Sequence, residues 1–163
     1  MGAYKMTLDE SVNSTAAFST NVVSIRAEQA GKRNLSEQPY AWKERVFQRL
    51  EHLVRLERGW DGYNARNVQF PIAVFAISML DSICGPSTKA PDIVPGADGD
   101  LQIEWHTLNG DIELDVRAPN VVVAWRSTEN PDGEEIILKN NFSVISGWVA
   151  DLMEPTVAHN AAA

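Results

Sequence analysis

The chain reads as a single α+β domain: an antiparallel β-meander of about four strands with two to three helices packed on one face. Three observations predict it. An apolar stripe at helical spacing runs through residues 42–54, and an almost wholly apolar stretch follows from Pro71 to Ile83. After Asp100 the hydrophobic period changes to two. A length of 163 residues with 44% hydrophobic content is enough for one continuous core. The expected organisation is a flexible N-terminal arm over 1–35, the domain over 36–154 and a disordered tail over 155–163. Within the arm, Val22, Val23 and Ile25 have the composition of a short docked strand.

The first helix is expected to start with Ser36 as N-cap and Pro39 in its first turn, and to end at Arg58-Gly59. Trp42, Val46, Leu50, Leu53 and Val54 share its apolar face. Lys43, Arg45, Arg49 and Arg55 alternate with Glu44, Glu51 and Glu57 over the rest, the pattern of a solvated surface. The run from Pro71 to Ile83 is too long for an ordinary strand and reads as the buried helix, stopped by Gly85-Pro86. Cys84 lies beside it among apolar residues and reads as a packing group. A single cysteine excludes an internal disulfide and a thiolate zinc cluster, which fits a reducing cytoplasm. The stretch through Pro91, Pro95 and Gly96 is a loop or a short edge strand.

Next, Leu101, Ile103, Trp105 and Thr107 alternate with Gln102, Glu104 and His106, and Asn109-Gly110 has the composition of a two-residue hairpin turn. That turn would pair Trp105 with Leu114, Ile103 with Val116 and Thr107 with Ile112. Pro119-Asn120 leads to a third strand, with Val121, Val123 and Trp125 continuing the inner face. The turn Asn130-Pro131-Asp132-Gly133 leads to a fourth, Gly133-Glu134-Glu135-Ile136-Ile137-Leu138-Lys139. A last helix, Phe142 to Leu152, carries Val144, Ile145, Trp148 and Val149.

The net charge of −8 is unevenly spread. Residues 1–66 hold ten Lys/Arg against eight Asp/Glu, a net of +2; residues 67–163 hold four against fourteen, a net of −10. Such a chain is not expected to bind nucleic acid directly, because phosphate neutralisation needs clustered cations. A partner steered by charge would be a basic protein. No stretch approaches the about 18 apolar residues of a membrane span, and the N-terminus lacks a signal-peptide core, so a soluble cytoplasmic protein is expected.

No catalytic or cofactor motif stands out. The expected register sets Glu104 opposite Asp115 and His106 opposite Glu113 on the outer sheet face, with Arg126 beside Glu113. Like charges so paired cost stability. Three readings remain open: a solvated acidic face that resists aggregation, a face that binds a basic protein, and a cation site. Paired carboxylates for glycoside hydrolysis would need a cleft. The three histidines, His52, His106 and His159, accompany no serine in a nucleophile elbow, and the glycines are too dispersed for a phosphate loop.

Gly59-Trp60-Asp61-Gly62-Tyr63-Asn64-Ala65 reads as a structural corner between two helices. Asp61 would cap nearby amides, and Trp60 and Tyr63 would pin the loop to the core. This corner, with Pro91-Asp92-Ile93-Val94-Pro95 and Asp98-Gly99-Asp100-Leu101-Gln102-Ile103-Glu104-Trp105, resembles a family of short uncharacterised bacterial proteins with a WDGYGA-like corner and a P-x-I-x-P…DG-x-I-x-LEW hairpin, often encoded on mobile elements. The resemblance covers roughly residues 45–125, with Asn64 where the family usually has Gly and Gln102 where it often has a small or apolar residue. It implies no reaction; it suggests defence, counter-defence or toxin–antitoxin biology.

The expected function is a non-enzymatic acidic protein-binding module, of the inhibitor, antitoxin or immunity type. Glu104, Glu113 and Asp115 would engage a basic partner, and Trp60 and Tyr63 offer another binding surface. One alternative is a small acidic secretion-type chaperone, a homodimer with apolar grooves; another is a metal-dependent hydrolase using Glu104, His106 and Asp115.

Overall fold

A computed structural model describes residues 40–127 and 133–154. Their order is α1 (Ala41–Leu53), α2 (Phe70–Ile83), β1 (Asp92–Pro95), β2 (Leu101–Thr107), β3 (Gly110–Ala118), β4 (Val121–Ser127), β5 (Glu134–Leu138) and α3 (Ser143–Met153). The expected arm over 1–35, the tail over 155–163, Ser36, Pro39 and the Asn130-Pro131-Asp132 turn lie outside the described residues. The five strands form one antiparallel sheet in sequence order, and the helices pack on one face of it. The expected α+β meander is therefore present, with β1 added as a short edge strand. Among the described residues no helix is long and apolar enough to cross a membrane.

The core lies between the helices and the inner sheet face. It takes Trp42, Val46, Leu50 and Leu53 from α1, Ile72, Ala76, Ile77 and Leu80 from α2, and Ile103, Trp105, Ile112, Leu114 and Val116 from the sheet, all buried. From α3 come Ile145, Trp148 and Val149, while Val144 is exposed. Trp105 is buried, and its indole donates to the Lys89 carbonyl at 3.0 Å. Burial pushes the Cys84 thiol up to about 12, with Asp81 adding to the shift.

Helix α1 stops at Leu53 rather than at Arg58-Gly59. Its last carbonyls are taken by the chain returning from the corner: Val68 N donates to Leu53 O at 3.3 Å and Asn67 Nδ2 to Val54 O at 2.8 Å. These bonds satisfy acceptors that a longer helix would have used itself.

The β2–β3 turn consists of Leu108 and Asn109, one residue earlier than expected. Asn109 is held by a task outside the hairpin, because its Nδ2 donates to Leu152 O at 3.1 Å and Glu154 O at 2.7 Å, closing the end of α3. Thr107 Oγ1 accepts the Asn109 amide, and the positive φ falls on Gly110. Trp105 therefore pairs with Ile112 and Ile103 with Leu114, two residues from the expected partners. An even slip leaves every side chain on its predicted face.

The β3–β4 pairing corrects a face. Val116 pairs with Val122 and Ala118 with Val121, so Arg117 is an extra residue in β3, a β-bulge. A one-residue slip inverts the whole strand. Val122 and Ala124 are buried in place of the expected Val121, Val123 and Trp125, which turn outward. Arg126 turns away from Glu113: its guanidinium bonds Glu134 at 3.0 Å, approaches Asp151 at 3.7 Å and lies over the Trp148 ring at 4.6 Å.

Candidate functional site

On the outer face of an antiparallel sheet, residues in register form rows that cross the strands. One such row reads Asp92, Glu104, Glu113, Trp125, Glu135 from β1 to β5. The next reads Val94, Gln102, Asp115, Val123, Ile137. Four carboxylates thus share one line with an indole, and three apolar side chains lie along the adjacent line. An open cleft of about 460 Å³ covers the β3–β5 part of both rows, lined by Gln102, Glu113, Asp115, Arg117, Val123, Trp125 and Glu135.

Each member is placed by a local cause. Period-two alternation sends Glu104, Glu113 and Asp115 outward, and the even slip at Asn109 sets Glu104 opposite Glu113 and Asp115 opposite Gln102. The Arg117 bulge puts Trp125 between Glu113 and Glu135. Gly133 makes room for the indole: it holds φ +69°, and a Cβ there would overlap Trp125 Nε1 and lie 2.8 Å from Arg126 O.

Neighbours temper the charge without cancelling it. Gln102 Nε2 donates to Glu113 at 2.9 Å, and Arg117 Nε to Asp115 at 2.8 Å. His106 stands between two carboxylates, Nδ1 at 2.9 Å from Asp111 and Nε2 at 3.2 Å from Glu104. Asp111, then Glu104, raise its pKa above the ordinary value by stabilising the imidazolium.

The structure brings three predicted site residues, Glu104, Glu113 and Asp115, onto this face and leaves Trp60 and Tyr63 in the α1–α2 corner. Asp61 Oδ1 accepts the Tyr63 and Ala65 amides at 2.9 and 3.2 Å, as expected of a corner, and the Tyr63 amide holds its carboxyl below the usual range. Trp60 Nε1 donates to Arg66 O at 2.9 Å. Tyr63 pins nothing, since it is 85% exposed. The hydrolase trio is not assembled: Glu104 touches His106, but Asp115 sits in the next row against Arg117. Among the described residues no group of three His, Cys, Asp or Glu is arranged to hold a metal ion.

Trp125, Val123, Glu135 and Ile137 were missed as members of this face. Period two places Glu135 and Ile137 together, opposite in sense to Leu138, so β5 carried a usable signal. Val121-Val122-Val123-Ala124-Trp125 did not, being apolar on both faces. Comparison of the chain with protein-family models, with curated proteins and with solved structures finds no match.

Proposed function

We propose that the domain is a non-enzymatic binding module whose outer sheet face receives a basic protein. The carrying observation is the position of Trp125, turned out of the core by a bulge and set in register between Glu113 and Glu135. A partly exposed indole flanked by carboxylates suits a guanidinium or ammonium group, which gains ion pairing at the rim and cation–π attraction at the centre. Val123 and Ile137 supply apolar area, and Arg117 and Gln102 orient two of the carboxylates. An acidic inhibitor, antitoxin or immunity-type protein fits this reading, since carboxylates in a row can occupy a partner's phosphate-binding surface. The resemblance of the corner and hairpin to proteins of mobile elements points the same way.

The test is capture from the native cell on immobilised wild type and on the Glu113→Lys/Glu135→Lys variant, then association rates with the captured protein made pure. The expected partner is basic, is eluted by salt, and associates with the variant at least about tenfold more slowly at low ionic strength. Equal capture and equal rates, with folding verified, would place the binding surface elsewhere.

A further inference from the structure

The two edges of the sheet are not alike. At β1, Pro91 and Pro95 bracket the strand and can donate no amide hydrogen, and Arg49 Nε already donates to the Ile93 carbonyl at 2.9 Å. Arg45 of α1 adds an ion pair to Asp92 at 3.0 Å, so helix side chains lie along this edge. These are the devices that blunt an edge strand against further pairing. At β5, among the described residues, no proline brackets the strand and no helix side chain bonds an edge carbonyl, and the ion pair of Glu134 runs back to Arg126 of β4. Glu134–Leu138 contains no proline and no bulge, pairs with β4 alone among the described residues, and carries Ile137 at 72% exposure.

Resting on the proposed binding of a basic protein, we infer that the partner enters as an extended strand added to the edge of β5 that pairs with no other strand among the described residues. The geometry dictates its sequence pattern. The acidic row ends at this edge with Glu135 and the apolar row ends with Ile137, so an added strand extends both rows by one position. The residue opposite Glu135 is a lysine or arginine, and the one opposite Ile137 is apolar. The residue between them points to the inner face beside half-buried Ile136, and is apolar too. The recognised element is a cation followed or preceded by two apolar residues, at strand spacing, in a basic protein. Backbone hydrogen bonds to β5 would hold it, and Glu135 would select its charge. A second copy of this chain fits less well, since it carries a net charge of −8 and would bring further carboxylates to an already acidic edge.

The test uses threonine-rich nine-residue peptides with a central Lys-Val-Val or Val-Val-Lys triplet, added to ¹⁵N-labelled protein at low salt. Three controls accompany them: peptides with Glu for Lys, peptides methylated on alternate backbone nitrogens in either register, and the Ile137→Lys variant, which changes an exposed side chain. The expected result is that one triplet order binds and slows exchange of the outward β5 amides at least about tenfold. Reversed charge, either methylation register that removes the edge-facing amides, and Ile137→Lys should each weaken binding by at least about tenfold. Binding that survives both methylation registers and shifts Trp125 without protecting β5 would overturn strand addition and leave the acidic-face reading standing. Absence of binding by either triplet would overturn strand addition, and the acidic-face reading would then be judged by the capture and rate experiment. A concentration-dependent dimer that protects β5 without peptide would make the occupant a second copy and overturn the basic partner.

Discussion

Glu104 and Glu113 stand directly opposite each other on the open face of the sheet. Cross-strand neighbours of like charge repel by an amount comparable to the gain of an opposite-charge pair, about 0.2–1 kcal/mol. His106 and Gln102 reduce this cost by holding one carboxylate each. Replacing Glu113 by Gln should therefore stabilise the domain by a few tenths of a kcal/mol at low salt. The gain should vanish near 1 M salt, where the Debye length is about 3 Å. Urea unfolding at two ionic strengths measures it. No gain at low salt would mean that the two hydrogen bonds already offset the repulsion.

His106 gives the same face a pH dependence whose sign follows from geometry. Asp111 and Glu104 raise its folded pKa above 6.5. Its contribution to stability is then complete below about pH 6.5 and is lost as pH rises through the raised folded value. Comparing wild type with His106→Gln by thermal melting should show the wild type's advantage at about pH 6 shrinking by about pH 8 to 9. The imidazole is mostly in solvent, so the effect should be small and screened by salt.

Cys84 should behave as a core atom. With its thiol pushed up to about 12 by burial, the thiolate that reacts with alkylating agents is nearly absent near neutral pH. Native protein at about pH 8 should resist iodoacetamide, and unfolding in urea should release one reactive thiol. Rapid labelling of the native protein would show that the Cys84 region opens locally.

Trp105 tests the core. It is buried beneath the helices and its indole has a partner in Lys89 O. Trp105→Ala should cost about 3–5 kcal/mol, read from chemical denaturation. Trp105→Phe, which keeps most of the volume and loses the hydrogen bond, should cost less.

How much of this was legible in the sequence depends on whether a feature is local. The α2 run, the alternation in β2 and the inward set of β3 follow from patterns within a single element, and each stands where the sequence puts it. The hairpin register was displaced by Asn109, whose side chain closes α3 more than 40 residues away. The end of α1 was decided by Asn67 and Val68 returning from the corner. The face of β4 turned on the Arg117 bulge, in a strand whose side chains were apolar on both sides. Glu104, Glu113 and Asp115 were legible as an outward acidic set because polarity alternates there; their indole neighbour was not. Long-range hydrogen bonds and bulges leave little trace in periodicity, and here they determine what the candidate site contains.

The bulge itself is open to test through Gly133, which meets the indole that the bulge turns outward. Gly133 holds φ +69°, and a Cβ would overlap Trp125 Nε1 and crowd Arg126 O. Gly133→Ala therefore carries two costs, the left-handed backbone at roughly 1–2 kcal/mol and displacement of the indole or of β5. If Trp125 belongs to the outer face, the second cost should be relieved in the background of Trp125→Ala, since removing the ring opens the space that the new methyl needs. A double-mutant cycle measures this: the combined loss should fall short of the sum of the single losses by about 0.5–3 kcal/mol, as expected for side chains in contact. Simple additivity would mean that the ring does not press on residue 133, and would remove the support for Trp125 standing between Glu113 and Glu135.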